Sequence, residues 1–302
     1  MTKPASKKNN VEKTLRLLDV LKFIFCESTF KDKLVLKGGT AINLAYSKLK
    51  RLSVDIDLDY HGALDKETTN VDRVAILNEL DMFMENNGYR ISKTTRQSAI
   101  LSSKVYAYSS ELGYGDNIKI ELNFIDRISL FPSKSVQINY FGKEVLVIVP
   151  QKEELFGMKL SALADRGKIR DLYDSLYLVK ELELMDVDKL RKTAIFYLSL
   201  DYFLEIEEET LLANAKKLDK DDVKKELLPV ISRSECFDIN NALHDIAKCL
   251  AMVFQLTNNE KQYLIDFSKG TFNPFLLFDS DAATRAEKHP MAKWMIMNIQ
   301  KK

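Results

Sequence analysis

Three kinds of feature are scarce in this chain, and each shortage excludes a class of protein. The cysteines are odd in number and lack the spacing of metal ligands, which indicates reduced thiols in a cytosolic protein. Lys and Arg total 45 against 44 Asp and Glu, so the net charge of +1 gives no general indication of nucleic-acid binding. Any basic surface would therefore have to be local.

Long apolar runs are missing as well. No 18 consecutive apolar residues occur, and the basic N-terminal segment lacks the apolar stretch of a signal peptide, so we expect a cytoplasmic protein. The 302 residues are 46% hydrophobic and 29% charged, a composition typical of folded globular proteins. A chain of this length favours two domains.

Apolar and acidic residues alternate through residues 54–60, VDIDLDY. A strand repeats every two residues, so Asp55, Asp57 and Asp59 are expected on one face of it. Like charges at adjacent positions disfavour being ionised together, and a divalent cation is the usual means of holding them there. The alternation therefore predicts a strand with a candidate metal site.

A glycine turn precedes this strand. Residues 34–36 form a short apolar strand, and the following Gly38, Gly39 and Thr40 let backbone amides approach an anion at the start of a helix. Each motif has a structural alternative, because Gly-Gly turns are common in loops and paired aspartates also occur on solvated sheet edges. Their close succession favours a joint role, with phosphate bound beside metal.

A second alternating segment, residues 117–124 with the sequence NIKIELNF, is also predicted to be a strand. If it lies beside residues 54–60, Glu121 comes near Asp55 and Asp57 and completes a three-carboxylate site. A glutamate on the solvent face of a strand needs no ligand, so a structural role remains the alternative.

A helix is predicted over residues 151–166. Lys159 and Arg166 are seven residues apart, almost two turns, and therefore share a face that suits contact with a triphosphate. The alternative is a lysine that covers apolar surface with its stem and keeps its ammonium in solvent. Asp171 and Asp174 in the next helix are neighbours three residues apart, a spacing that by itself indicates charge pairing.

The rest of the first half mixes helices with strands, whereas the second half is helical. Helices are predicted at 10–26 and 71–87, strands at 89–95 and 104–109, and a hairpin at 135–149. Asn9 and Glu12 have the spacing of a capping box for the first helix. Gly88 and Gly167 are placed as helix stops.

The motif order LKGGTA, RLSVDIDLDY, IELN and KLSALADRGKIRDLYD resembles the AbiEii toxin family, which includes the MenT toxins of abortive-infection and type IV-like toxin-antitoxin systems. The match covers roughly residues 34–179, and HPMAKWMI at 289–296 resembles the C-terminus of that family. The resemblance implies a nucleotidyltransferase core of the DNA polymerase beta type. We expect an α/β domain over residues 1–182, with a mixed, twisted sheet flanked by helices, and an all-helical domain over residues 183–302.

The resemblance also implies roles for individual residues. Asp55 and Asp57 match metal ligands, with Glu121 as the candidate third ligand. The positions that match nucleotide-binding residues are Gly38, Gly39, Thr40, Arg51, Ser53, Lys159, Arg166 and Arg170. The positions that match catalytic residues are Asp55, Asp57, Lys159, Asp171 and Asp174. Asp171 or Asp174 is expected to position Lys159 or to assist deprotonation of the acceptor.

The implied activity is transfer of a nucleotide from an NTP, with GTP, CTP or UTP as donor, in the presence of Mg²⁺ or Mn²⁺. The implied acceptor is RNA, with the 3′ end of tRNA as the expected target, and the implied setting is phage defence. A cognate antitoxin encoded nearby is the expected partner, with or without direct contact. Two alternatives remain: a nucleotidyltransferase acting on a small molecule such as an antibiotic, and a non-catalytic nucleotide-binding module.

Overall fold

The computed structural model describes residues 7–47, 51–53, 55–92, 96–98, 100–111, 113–232 and 234–301. The chain divides into two compact units, the first comprising Met1–Ile128 with Ser133–Pro150 and the second Ser129–Pro132 with Gln151–Lys302. The chain therefore enters the second unit for four residues before the first is complete. The division into compact units does not test the expected domain boundary at residue 182, so that boundary stays a prediction.

The first unit begins with helix α1 (Lys7–Lys22), which continues into a π-helical turn at Phe23–Glu27. Leu17, Leu18 and Leu21 are buried and form the core-facing side of α1. The helix starts at Lys7, so Asn9 lies inside it and not at the predicted N-cap position.

The sheet of this unit confirms the predicted mixed topology. Its strands are β1 (Leu34–Lys37), β2 (Asp55–Tyr60), β3 (Arg90–Ile91), β4 (Arg96–Gln97), β5 (Leu101–Ser109) and β6 (Gly115–Asn123). They are ordered β1-β2-β6-β5-β3, with β4 also paired to β5. Strands β2 and β6 pair in parallel, and the other described pairs are antiparallel. Val54 and residues 93–95, which were predicted as strand, lie outside the described residues.

The two faces of β2 and β6 differ in chemistry. On one face the apolar side chains are almost completely buried, as for Ile56, Leu58 and Ile120. Burying each such side chain contributes about 1.5 to 3 kcal/mol. A one-residue shift in the strand pairing would move all of these apolar side chains to the opposite face. Their burial therefore fixes the register, and with it the residues on the polar face.

Two helices and a hairpin complete the first unit. Helix α2 (Gly38–Ala41) continues into a π-helical turn at Ile42–Tyr46, and α3 (Lys66–Asn86) ends before Gly88, the predicted stop. Strands β7 (Lys134–Tyr140) and β8 (Lys143–Val149) form the predicted hairpin, and β8 packs against α1 and β1.

The second unit is built of helices. They are α4 (Lys152–Arg166), α5 (Ile169–Glu181), α6 (Val187–Leu200), α7 (Glu208–Leu212), α8 (Lys220–Asp222), α9 (Ile239–Val253), α10 (Asn258–Ser268), α11 (Ser280–Lys288) and α12 (Pro290–Ile299). Helix α4 ends at the predicted Gly167, which adopts the left-handed conformation. The core of the unit includes Phe196, Tyr263 and Phe267. The sequence patterns gave no prediction for α11 or α12.

None of the described helices combines the length and the apolar composition that a membrane crossing requires.

Candidate functional site

An acidic face is created where β2 and β6 pair. In this parallel register Asp55 lies opposite Lys119 and Asp57 lies opposite Glu121. Neighbouring strands are about 4.8 Å apart, so side chains at paired positions of the same face come close together. The condition on which the role of Glu121 depended, that its strand lies beside the paired aspartates, is met.

The pKa of Asp57 is shifted by this arrangement of charges. Burial raises the pKa of its carboxyl above the ordinary value, and the negative charges of Asp55 and Glu121 raise it further. The positive charges of Lys37 and Lys119 act in the opposite direction. Part of this increase is repulsion of Asp57 by Asp55 and Glu121, which a bound cation would relieve.

The glycine turn at the start of α2 lies directly against Asp57. Gly38 has a φ of 68°, and a Cβ atom on it would be 2.2 Å from Oδ2 of Asp57. A Cβ atom on Gly39 would be 2.2 Å from Nη2 of Arg51 and 3.1 Å from Oγ of Ser53. Gly38 therefore requires glycine, whereas a side chain at Gly39 would have to displace the end of the Arg51 side chain; the turn lies directly against the acidic face.

Polar side chains tie this turn to the start of β2. The hydroxyl of the buried Thr40 lies 2.8 Å from Oγ of Ser53 and also contacts the carbonyl oxygen of Asp55. Asn43 donates from Nδ2 to the carbonyl oxygen of Gly39 at 2.8 Å, and its Oδ1 accepts from the N–H of Arg51 at 3.1 Å. The Thr40 hydroxyl thus fixes the turn, and a phosphate contact at Thr40 would be made by its backbone amide.

The carboxylates suit a divalent metal in donor type, although some of them already have partners. Carboxylate oxygens are the ligands that Mg²⁺ prefers. Within the described part of the chain, no three His, Cys, Asp or Glu side chains stand close enough together to form a ready-made metal cluster. Glu121 is ion-paired with Lys119 at 2.5 Å, and Asp59 with Lys37. Asp55 and Asp57 fit as the principal ligands, whereas Oε2 of Glu121 is already engaged by Lys119.

A second group of predicted site residues lies in the helical unit. Lys159 on α4 is 2.8 Å from Oδ1 of Asp171 and 3.1 Å from Oδ2 of Asp174, both on α5. Arg166 adds a bidentate contact to Asp171, at 2.7 and 3.0 Å. The side chains of Lys159, Asp171 and Asp174 are only 6%, 3% and 2% exposed, so the alternative of a solvent-exposed lysine head is wrong. Arg170 lies in the first turn of α5.

The charge balance of this cluster favours ionised aspartate. Burial alone would raise the pKa of Asp171, but the positive charges of Lys159 and Arg166 outweigh it and hold that pKa well below its usual range. The cluster therefore fixes the ammonium group of Lys159 in one position. The roles predicted for these residues in catalysis and nucleotide binding stay predictions.

Three polar residues near the acidic face had no predicted role. They are Lys37, Lys119 and Asn43. Lys37 is paired with Asp59, and its Nζ lies 3.7 Å from Oδ2 of Asp126. The sequence contained a signal for the lysines, since Lys37 directly precedes the glycine turn and Lys119 shares a strand face with Glu121.

Comparisons with known proteins agree with this geometry. The family model described as nucleotidyl transferase AbiEii toxin, type IV toxin-antitoxin system, matches residues 20–238. Among solved structures, MenT4, a nucleotidyltransferase toxin from Mycobacterium tuberculosis H37Rv, matches with a TM-score of 0.61 at 16% identity. The match covers 96% of this chain and 92% of the MenT4 chain. A candidate nucleotidyltransferase from H. pylori has a TM-score of 0.51 at 20% identity, covering 82% and 96%. At these identities the two structures establish the fold alone. None of the curated proteins matches the chain.

Proposed function

Because the chain belongs to the AbiEii family of nucleotidyltransferase toxins, as the match over residues 20–238 shows, we propose that it transfers a nucleotide from an NTP to an RNA acceptor in a reaction that requires a divalent metal. The expected acceptor is the 3′ end of tRNA, and the expected donor is GTP, CTP or UTP. The toxin family implies an antitoxin partner, and we propose that the protein acts in the cytoplasm as part of phage defence.

One observation carries the proposal. Asp55 and Asp57 lie on a strand paired in parallel with the strand of Glu121, and the carboxylate of Asp57 lies against Gly38 where no Cβ atom fits. Nucleotidyl transfer needs a metal beside a triphosphate, so carboxylates placed against a phosphate-compatible turn are the arrangement it requires.

The residues of the first unit would bind and orient the donor. Asp55 and Asp57 would hold the metal, and Glu121 would join them. When bound, Mg²⁺ would activate the acceptor hydroxyl and stabilise the departing pyrophosphate. Backbone amides at Gly38 and Gly39 would donate to phosphate oxygens. The acceptor hydroxyl releases its proton to solvent, and its oxygen forms a bond to the α-phosphorus as the bond from that phosphorus to the pyrophosphate oxygen breaks.

Lys159 belongs to the buried cluster that includes Asp171 and Asp174. We assign Lys159 the neutralisation of charge on the triphosphate, as the family resemblance implies. Asp171 and Asp174 both contact its ammonium group, which supports a positioning role for the two aspartates. We propose that Arg166 and Arg170 contact the nucleotide, as the family resemblance implies.

The test is label transfer to RNA. Full-length protein is incubated with each labelled NTP, total cellular RNA and Mg²⁺, and compared with Asp57→Asn and with the surface control Asp19→Asn. We expect RNA to acquire label, and Asp57→Asn to lower the rate by about a hundredfold or more at a melting temperature no lower than that of the wild type. EDTA should abolish the reaction, whereas Asp19→Asn should retain it.

Three outcomes would count against the proposal. Undiminished transfer by Asp57→Asn would remove the metal site from the chemistry. Label in an added aminoglycoside but never in RNA would indicate a small-molecule enzyme. Nucleotide binding without pyrophosphate release at any acceptor would indicate a non-catalytic module.

A further inference from the structure

An ammonium group lies on the acidic face of the sheet. Lys119 and Glu121 are two residues apart on β6 and therefore project from the same face. Their Nζ and Oε2 atoms are 2.5 Å apart, and the two side chains are 35% and 27% exposed. In the parallel register they lie opposite Asp55 and Asp57, the proposed metal ligands.

Both charges of this ion pair act on the proposed metal site. In the parallel pairing Glu121 lies opposite Asp57 and Lys119 lies opposite Asp55, on strands about 4.8 Å apart, so both groups are close to the proposed ligands. A divalent cation bound by Asp57 would therefore experience attraction from Glu121 and repulsion from the ammonium group of Lys119.

Lys37, the other lysine at this face, has different partners. It is paired with Asp59 and lies 3.7 Å from Asp126, and neither of these carboxylates is assigned to the metal. A cation can therefore bind without breaking the pairs of Lys37. The partner of Lys119, in contrast, is itself the candidate third ligand.

We propose that Lys119 is a positioning residue that holds Glu121 in the metal-free protein and competes with the divalent cation for its carboxylate. The inference rests on the proposed assignment of Asp55 and Asp57 as metal ligands. In the absence of nucleotide, Lys119 thereby weakens metal binding. A bound triphosphate contributes oxygen ligands of its own and so offsets this competition. Metal occupancy becomes coupled to nucleotide occupancy.

The test measures binding of Mn²⁺ alone. Full-length protein without nucleotide is titrated with MnCl₂, and free Mn²⁺ is followed by electron paramagnetic resonance. Lys119→Met removes the ammonium group but keeps most of the stem, so we expect Mn²⁺ to bind about threefold more tightly or better. Lys119→Arg restores the charge and should bind as the wild type does.

Lys143→Met is the matched control. It removes the same charge from the same unit, but its partner Asp19 lies on an exposed surface. We expect its Mn²⁺ affinity to equal that of the wild type. Should Lys119→Met fail to fold, Lys119→Gln removes the same charge and carries the same comparison.

The outcomes separate this inference from the proposed function. If Asp57→Asn abolishes Mn²⁺ binding and Lys119→Met binds no better than Lys143→Met, the competition is overturned while the metal site stands. If neither the wild type nor Lys119→Met binds Mn²⁺, or if Asp57→Asn binds it unchanged, the metal assignment fails and the inference fails with it. Binding by Lys119→Met alone would support the inference.

Discussion

Gly38 is subject to two independent constraints. Its φ of 68° is a conformation that costs a residue with a side chain about 1 to 2 kcal/mol. In addition, a Cβ atom there would overlap Oδ2 of Asp57 at 2.2 Å. The first constraint concerns stability alone, whereas the second connects this position to the proposed chemistry.

Gly38→Ala should therefore lose both stability and activity. Gly142→Ala is the control, because Gly142 has a φ of 78° but open space around its missing side chain. We expect urea unfolding to show a loss of about 1 to 2 kcal/mol for Gly142→Ala and a loss at least as large for Gly38→Ala, which also has the overlap with Asp57. Nucleotide transfer should fall only in Gly38→Ala, and equal activity in the two variants would contradict the account of the Asp57 contact.

Helices α4 and α6 cross at a glycine. A Cβ atom on Gly157 would be 2.8 Å from Cγ2 of Thr193 and 3.0 Å from the backbone N of Ala194. An alanine inside a helix normally stabilises by about 1 kcal/mol relative to glycine, whereas overpacking costs about 1 to 3 kcal/mol. The contact with the backbone of Ala194 has no flexible side chain to move, so overpacking should dominate.

Gly157→Ala is accordingly expected to destabilise the protein by up to about 2 kcal/mol in urea unfolding. Adding Thr193→Ser removes the clashing methyl group but keeps a hydroxyl that can bond to the carbonyl oxygen of Lys189, so part of the loss should be recovered. A stabilised Gly157→Ala would show that the two helices separate easily at this crossing.

Helix α4 also holds the four-residue segment Ser129–Pro132. The carboxylate of Glu154 accepts from the N–H groups of Leu130 and Phe131 at 2.7 and 3.2 Å, and from the hydroxyl of Tyr197 at 2.8 Å. Burial raises the pKa of Glu154 to about 7, against the lowering effect of these hydrogen bonds. A buried carboxyl thus anchors the point where the chain enters the second unit.

This raised pKa predicts a pH dependence of stability. The folded protein retains the Glu154 proton more strongly than the unfolded chain, so the stabilisation is complete below pH 4.5 and is lost as the pH rises to about 7. The rise in pKa from 4.5 to about 7 corresponds to about 3 kcal/mol. The unfolding free energies of the wild type and Glu154→Gln are measured from pH 4 to 8. Over this range the wild type should lose about 3 kcal/mol more than the variant. Parallel curves would show an ionised carboxylate throughout.

Local patterns predicted the faces of the strands and the helix stops. The alternation in β2 and β6 is a local property, and so are the glycines at positions 88 and 167. The pairing of Asp57 with Glu121 in parallel was only conditional in the sequence, because burial of distant residues sets the register. Helix α11 was not predicted because its buried residues are small and give a weak apolar signal; they are Ala282, Ala283 and Ala286.

At the scale of the whole molecule, chain order and compact structure differ. Residues 129–132 belong to the second unit although the hairpin of β7 and β8, which follows them, belongs to the first. Arg285 donates to the carbonyl oxygen of Ser129 at 2.7 Å, and Gln151 donates to that of Pro132 at 3.1 Å. These contacts join residues far apart in sequence, so no local pattern could reveal them.

The central claim is that Asp55, Asp57 and the Gly38 turn together bind a metal and a triphosphate. A crystal of the full-length protein with Mn²⁺ and a non-hydrolysable NTP tests it most directly, through the anomalous signal of manganese. We predict a manganese peak at coordination distance from carboxylate oxygens of Asp55 and Asp57, with nucleotide phosphates against the amides of Gly38 and Gly39. Manganese and nucleotide bound elsewhere, with both aspartates uncoordinated, would contradict the account.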